Sequence, residues 1–223
     1  MGTSKTGGQP KITVFLGESD NVSNALLSIE EGGRKLGIGL RDLVRQRYNG
    51  RFEIEFLRES WENGIPDIDA GKSLLLERQP GIVVFSAAGD VTTSISVEDF
   101  KTRLLRLIRV VKDRLDAHVI VFNCCSADPA DNVHNYHGLP DTFPLRAHKF
   151  NLAVMQASVL EGISFIDVER VIGQLAADTH VLSPLRYSVQ AYETIGKEFL
   201  RVIEDIAFFE NRPLVMQVGQ RGK

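Results

Sequence analysis

The sequence predicts an α/β fold built on a five-stranded, mostly parallel sheet with helices on both faces. Short apolar runs rich in β-branched residues recur along the chain, and segments whose apolar residues have helical spacing separate them. One run, Gly81-I-V-V-F-Ser86, is apolar at every internal position, which is typical of a strand covered on both faces. Because parallel neighbours require crossover connections, this alternation indicates a sheet enclosed by helices.

The strands and helices follow from local patterns taken in chain order. The run K-I-T-V-F-L forms the first strand and Gly17 ends it, and the alternation of Phe52, Ile54 and Phe56 marks the second. The expected strands are residues 11–16, 52–56, 81–86, 117–123 and 163–167. The expected helices are residues 23–48, interrupted at Gly32-Gly33, then 68–78, 97–115, 145–161, a short helix ending at 175, and 188–209. A long irregular loop, residues 124–141, has a length that favours a functional role.

Length, charge and composition restrict the class of protein. The 223 residues fit a single domain at residues 11–209, with a flexible segment at 1–10 and a tail at 210–223. The net charge of −3 offers no footprint for nucleic acid. No apolar run approaches the roughly 20 residues that cross a bilayer, so we expect a cytoplasmic protein without a membrane span. The adjacent Cys124 and Cys125 indicate a reducing context, and a homo-oligomer is compatible with the sequence.

Ser19 follows the first strand in the segment Gly17-Glu18-Ser19-Asp20. In parallel sheets ligands bind beyond the carboxyl ends of the strands, which makes Ser19 a candidate nucleophile. Backbone N–H groups at the start of the next helix could steady a developing oxyanion. The alternative is that Ser19 or Asp20 caps that helix.

His180 is the candidate base for such a serine. It lies in the loop before the last helix, in the segment Asp178-Thr179-His180. A carboxylate near a histidine can orient the imidazole while the other ring nitrogen takes the serine proton. The alternative is an ordinary surface or core histidine.

With these residues, the sequence resembles a divergent member of the SGNH, or GDSL-type, hydrolases, a family of serine esterases, lipases and acetylhydrolases. The resemblance covers residues 11 to about 206. It implies a flavodoxin-like three-layer α/β/α sandwich and makes Ser19 the nucleophile, with Glu18 where the family has aspartate. It implies no cofactor and no metal.

The resemblance also implies an oxyanion hole formed by Ser19, Gly64 and Asp90. Gly64, in Asn63-Gly64-Ile65, matches the glycine of the second family block, whose backbone N–H donates to the oxyanion. Asp90, in Ala88-Gly89-Asp90, occupies the position of the family asparagine. An ionised carboxylate cannot donate a hydrogen bond and would repel the oxyanion, so this departure bears directly on activity.

The last family block places an aspartate three residues before the catalytic histidine. His180 matches the histidine, but Ala177 occupies the aspartate position and Asp178 is the nearest carboxylate. Two arrangements therefore stay open, a triad completed by Asp178 and a Ser–His dyad. Asp167 resembles a helix cap rather than a catalytic group.

The long loop and Trp61 provide candidate substrate-cleft residues. His134, Tyr136 and His137 either line a cleft or belong to a solvated loop, and Trp61 forms a cleft wall or packs in the core. A metal centre that would use these histidines with His148 and the two cysteines is disfavoured. Its spacings match no compact zinc pattern, and adjacent cysteines after a buried strand behave as small apolar residues.

Three functions follow, in decreasing order of support. The first is a serine acyl-ester hydrolase, of esterase, deacetylase or lipase-like type, acting on a small or carbohydrate-linked acyl ester. The second is a catalytically weak or inactive module with the same fold that binds a carbohydrate or an acylated ligand. The third is a nucleotide- or phosphate-binding flavodoxin-like module.

Overall fold

The computed structural model describes residues 11–18, 20–31, 34–61, 64–66, 73–127 and 138–210. In chain order the elements of this part are β1 (Lys11–Glu18), α1 (Asp20–Leu26), β2 (Glu30–Glu31), β3 (Arg34–Lys35), α2 (Leu40–Arg47), β4 (Glu53–Ser60), α3 (Leu74–Arg78), β5 (Ile82–Ser86), α4 (Ala88–Val91), α5 (Val97–Arg114), β6 (His118–Phe122), α6 (Phe143–Glu161), β7 (Ser164–Ile166), α7 (Val168–Gln174), α8 (Ala177–His180), β8 (Val181–Ser183), β9 (Arg186–Tyr187) and α9 (Val189–Asp205). None of the helices in these ranges is long and apolar enough to cross a membrane.

The main sheet confirms the five predicted strands. Its order is β4-β1-β5-β6-β7 and every neighbouring pair is parallel. This is the flavodoxin-like order, in which the second strand of the sheet along the chain lies outside the first. The connections therefore leave β1 in opposite directions, toward β4 and toward β5. The carboxyl ends of β1 and β5 form the switch point at which such sheets bind ligands.

Two apolar cores cover the two faces of the sheet and complete the three layers. In β5, Ile82 and Val84 belong to the core shared with α1, α2, α7 and α9, whereas Val83 and Phe85 belong to the core shared with α3, α5 and α6. This division follows from the period of two along a strand. The apolar run that predicted a strand covered on both faces is buried at every position.

The two helices predicted over residues 23–48 are present, but the interruption between them is longer than the predicted break at Gly32-Gly33. The chain forms α1, then the antiparallel hairpin of β2 and β3, and α2 begins only at Leu40. Before α2 the backbone packs closely against itself, because a Cβ at Gly39 would lie 2.6 Å from the Ser28 nitrogen. This contact between distant parts of the backbone has no counterpart in the local apolar spacing.

Two smaller features also differ from the prediction. The last helix ends at Asp205 rather than at 209, because Ala207 takes a positive φ of 54° and turns Phe208 and Phe209 back into the core. The predicted loop before α9 contains the hairpin of β8 and β9. Of the predicted helix 68–78, α3 is described, and residues 67–72 lie outside the described residues.

Candidate active site at the carboxyl edge of the sheet

The end of β1 is packed against Trp61. A Cβ at Gly17 would lie 2.3 Å from Trp61 Cε3, so no larger residue fits at this position. Glu18 is the last residue of β1 and Asp20 the first of α1, and Ser19 itself lies outside the described residues. The glycine before the candidate nucleophile is therefore required by packing.

Trp61 is packed in the core, and its assignment as a cleft wall stays a prediction. The residue is only 5% exposed, and its ring lies 5.6 Å from both Phe15 and Phe85. The indole thus belongs to the core on one face of the sheet. Packing in the core is the alternative that the sequence left open. The indole packs there because it fills the space above Gly17.

Asp90 and Gly64 lie against each other beside the carboxyl end of β5. Asp90 is 1% exposed, and its Oδ2 and Oδ1 accept from the Ile65 backbone N–H at 3.1 and 3.3 Å. Gly64 has a φ of +89°, and a Cβ there would lie 2.2 Å from Asp90 Oδ1. The Gly64 N–H donates to the Trp61 carbonyl oxygen at 2.9 Å. The assignment of Gly64 as an oxyanion donor stays a prediction, and it requires this N–H to turn from Trp61 or to be shared.

Burial dominates the electrostatics of Asp90. Loss of water around the carboxyl raises its pKa from 3.8 to about 6, against the opposing effects of the Ile65 N–H and of the positive charges of Arg103 and Arg146. At pH 7 the group is therefore mostly ionised, and below pH 6 it is mostly protonated. Only the protonated form has an O–H that can donate to an oxyanion.

Arg146 on α6 holds the segment that carries Asp90, and the sequence interpretation missed it. The side chain is buried, and its guanidinium lies 4.6 Å from the Phe150 ring centroid. It donates to backbone carbonyl oxygens at 3.4, 2.7, 2.6 and 2.7 Å, those of Asp90, Val91, Thr93 and Ile95. The signal in the sequence is an arginine at helical spacing with the buried Phe143 and Phe150, where an unpaired charge would be costly.

His180 is the last residue of α8 and is half-buried. Its ring Nδ1 lies 2.7 Å from Ser188 Oγ, and its carbonyl oxygen accepts from the Ser188 N–H at 2.8 Å. Ser188 is also the N-cap of α9, where its Oγ accepts from the Ala191 N–H at 3.2 Å. Sequence reasoning did not select Ser188, although a serine directly before a helical pattern is a recognisable cap.

Several predicted site residues stay predictions because of where they fall. Ser19, His134, Tyr136 and His137 lie outside the described residues, as does the side chain of Asp178, whose backbone belongs to α8. The contact between Ser19 and His180 and the lining of a cleft by the long loop are therefore not tested by the described part of the chain.

The segment after β6 is held by side chains from later elements. Asn151 binds both sides of the Cys124 backbone, accepting from its N–H at 3.1 Å and donating to its carbonyl oxygen at 2.7 Å. The Cys125 N–H donates to Tyr187 Oη at 3.0 Å, which ties the β8–β9 hairpin to this edge of the sheet. Both cysteines are free and buried, and burial raises the pKa of each thiol, so they act as small apolar residues as predicted. Asp167 caps α7, also as predicted.

Comparison with known proteins gives matches among solved structures. No family model matches the chain, and no curated protein matches it. An acetylxylan esterase from Geobacillus stearothermophilus superposes with a TM-score of 0.63 at 15% identity, over 88% of this chain and 95% of its own. A lipase/acylhydrolase from Enterococcus faecalis gives 0.60 at 19% identity, over 89% and 97%. A protein from Parabacteroides merdae assigned as a GDSL-like lipase gives 0.61 at 12% identity, over 88% and 98%.

These similarities show that the chain has the α/β fold of the SGNH, or GDSL-type, hydrolases. The similarity extends over nearly the whole of each neighbour, so the shared feature is the complete sandwich rather than one βαβ unit.

Proposed function

We propose that the protein is a serine acyl-ester hydrolase in which Ser19 is the nucleophile and His180 the general base. The observation that carries the proposal is the packing of α1 on α9. A Cβ at Gly196 would lie 2.6 Å from the Ala25 carbonyl oxygen, so the two helices are in close contact at these residues. Ala25 is five residues into α1 and Gly196 seven into α9, about 8 and 11 Å from the helix starts.

Both helices begin at the carboxyl edge of the sheet and touch at a similar distance from their first residues, so their N-termini lie at the same edge. α1 follows the carboxyl end of β1, and α9 follows the hairpin that Tyr187 ties to Cys125 beyond the end of β6. Ser19 immediately precedes α1, and Ser188, which holds the His180 ring, immediately precedes α9. The packing of these two helices therefore supports a meeting of nucleophile and base at the switch point.

The chemistry is a two-step acyl transfer. Ser19 Oγ attacks the ester carbonyl carbon while His180 takes the hydroxyl proton, and the tetrahedral intermediate collapses as His180 returns that proton to the leaving alcohol. Water, deprotonated by the same histidine, then attacks the acyl-serine and releases the carboxylic acid and the free serine. No redox step or metal is needed for this sequence.

The structural neighbours suggest where to look for a substrate. One is an acetylxylan esterase, and forms of that enzyme with a serine or a histidine replaced by alanine are described as catalytic mutants. The activity of this neighbour makes an acetyl ester, either small or linked to a carbohydrate, the first substrate to test here.

Asp90 favours a second candidate function, a weakly active module that binds a carbohydrate or an acylated ligand. Its carboxyl group stands beside Gly64 and, when ionised, would repel charge that develops on a substrate oxygen. Loss of one oxyanion donor costs on the order of 10²- to 10³-fold in turnover, so the two functions differ most at neutral pH.

The experiment combines p-nitrophenyl acetate hydrolysis with labelling by a fluorophosphonate probe at pH 5.5 and 7.5. We expect hydrolysis and labelling of the wild type, a label on Ser19 in peptide mass spectrometry, and loss of both in Ser19→Ala. The matched control is Ser96→Ala, which removes the serine N-cap of α5, a helix on the opposite face of the sheet from α1 and α9. Labelling that persists in Ser19→Ala, or no labelling of the wild type at either pH, would refute the assignment of the nucleophile.

A further inference from the structure

His180 and Ser188 contact each other through both backbone and side chain. The β8–β9 hairpin pairs Val181 with Tyr187, which places the residues on either side of this pair opposite each other. The Ser188 N–H donates to the His180 carbonyl oxygen at 2.8 Å, and the His180 ring Nδ1 lies 2.7 Å from Ser188 Oγ. The hairpin thus brings the imidazole to a fixed hydroxyl.

We propose that Ser188 is the positioning residue for His180 and occupies the place that a carboxylate has in a Ser–His–Asp triad. This proposal rests on the proposed function, because it assigns the partner of the base. Among the side chains that the structure describes, Ser188 provides the polar atom within hydrogen-bond distance of the His180 ring.

The family spacing does not supply an acid for this role. Residue 177 is three positions before His180, where the family has its aspartate, but it is an alanine. The β8–β9 hairpin supplies the Ser188 hydroxyl in its place.

The hydroxyl of Ser188 has the hydrogen-bonding capacity for this role. One lone pair of Oγ accepts the Ala191 N–H at the start of α9. A second lone pair can accept Nδ1–H of His180, and in that tautomer the lone pair of the ring is on Nε2, where a general base needs it. Unlike a carboxylate, the hydroxyl brings no negative charge to stabilise the imidazolium. Ser188 therefore orients the base without adding to its basicity.

The test uses three variants and two readouts on the full chain. Ser188→Ala removes both the cap and the ring contact, Ser188→Asp keeps an N-capping residue and adds a charge, and Ser96→Ala removes a serine cap from α5 as the matched control. The readouts are the pH profile of kcat/KM for p-nitrophenyl acetate and the ¹⁵N chemical shifts of the imidazole nitrogens. The His180 signals are assigned by their loss in His180→Gln.

We expect Ser188→Ala to lower kcat/KM about 10- to 100-fold and to move the His180 ¹⁵N shifts toward a mixture of tautomers. Ser188→Asp should retain at least wild-type activity, with the acid limb of the profile displaced upward by about one pH unit. Ser96→Ala should change neither readout. If Ser188→Ala leaves the His180 shifts unchanged and only its thermal stability falls, as in Ser96→Ala, the hydroxyl is a helix cap and the proposal is wrong.

The nitrogen shifts separate this proposal from the proposed function. If the wild type neither hydrolyses the ester nor reacts with the fluorophosphonate, the hydrolase assignment fails, but a change of the His180 shifts in Ser188→Ala still supports the positioning role. If the wild type is active and the His180 shifts do not respond to Ser188→Ala, the hydrolase assignment stands and the positioning role is overturned. Should Ser188→Ala fail to fold, the profile of Ser188→Asp decides: an unmoved acid limb contradicts the proposal.

Discussion

The Asp90 carboxyl accepts the Ile65 N–H at 3.1 Å and lies 2.2 Å from where a Cβ on Gly64 would be, so α4 and the segment of Gly64 and Ile65 meet with no space between them. The contact joins the segment after β4 to the segment after β5 at the edge of the sheet near the switch point. The contact places a buried acid at the position where the proposed hydrolase would use an oxyanion donor.

Replacement of Asp90 by asparagine should increase esterase activity at neutral pH. The amide oxygen can keep the Ile65 N–H, and the amide nitrogen supplies the donor that an ionised carboxylate lacks. We expect Asp90→Asn to raise kcat for p-nitrophenyl acetate at pH 7.5 by on the order of 10-fold or more. The gain should shrink at pH 5, where the wild-type carboxyl is protonated. An equal or lower kcat in the variant at both pH values would remove Asp90 from the oxyanion hole.

The raised pKa of Asp90 also predicts a pH dependence of stability. The folded protein holds the Asp90 proton up to about pH 6, whereas the unfolded chain releases it near pH 4. The free energy of unfolding is therefore highest, as far as this group is concerned, below pH 4, and this stabilisation is lost as pH rises through 6. The loss amounts to about 3 kcal/mol. Urea unfolding of wild type and Asp90→Asn should therefore show a more stable variant at pH 7 and a difference that disappears near pH 4. Parallel stability curves for the two proteins would contradict the prediction.

Gly64 should be intolerant of any side chain. Alanine at this position would take a φ of +89° and would collide with Asp90 Oδ1, so we expect a loss of about 3 kcal/mol or more in the free energy of unfolding. The matched control is Gly162→Ala, because Gly162 has a φ of +62° and a Cβ there would meet no other atom within 4 Å. That variant should lose only about 1 kcal/mol from backbone strain. If the two variants lost the same free energy of unfolding, the Asp90 side chain would move away from the new Cβ without cost, and the prediction would be wrong.

Arg146 should be required for stability because it serves four backbone carbonyls near Asp90. Methionine keeps the apolar stem and removes the guanidinium, which leaves buried acceptors without a donor. We expect Arg146→Met to lose about 3 kcal/mol in chemical denaturation. Arg109→Met, which breaks an exposed ion pair with Glu161, is the matched control and should lose less than about 1 kcal/mol. A similar small loss in both variants would show that water replaces the guanidinium.

Local patterns were sufficient for the layers of the fold. The β-branched runs located all five strands of the main sheet, and the period of two within β5 divided its residues between the two cores. The same patterns overestimated the helices around α2 and at the end of α9. There the chain turns because of contacts with distant residues, such as the close approach of Gly39 to Ser28.

Residue order alone placed Ser19 after the first strand, because the end of an apolar run and the glycine that follows it are local features. The partners of the candidate site are of a different kind. Ser188 reaches His180 through a hairpin, Asp90 meets Ile65 across the crossover from β4 to β5, and the Trp61 ring is buried over Gly17. Periodicity records which face of an element is buried, but it does not record which strand ends and loops become neighbours, and the chemistry of this edge depends on those neighbours.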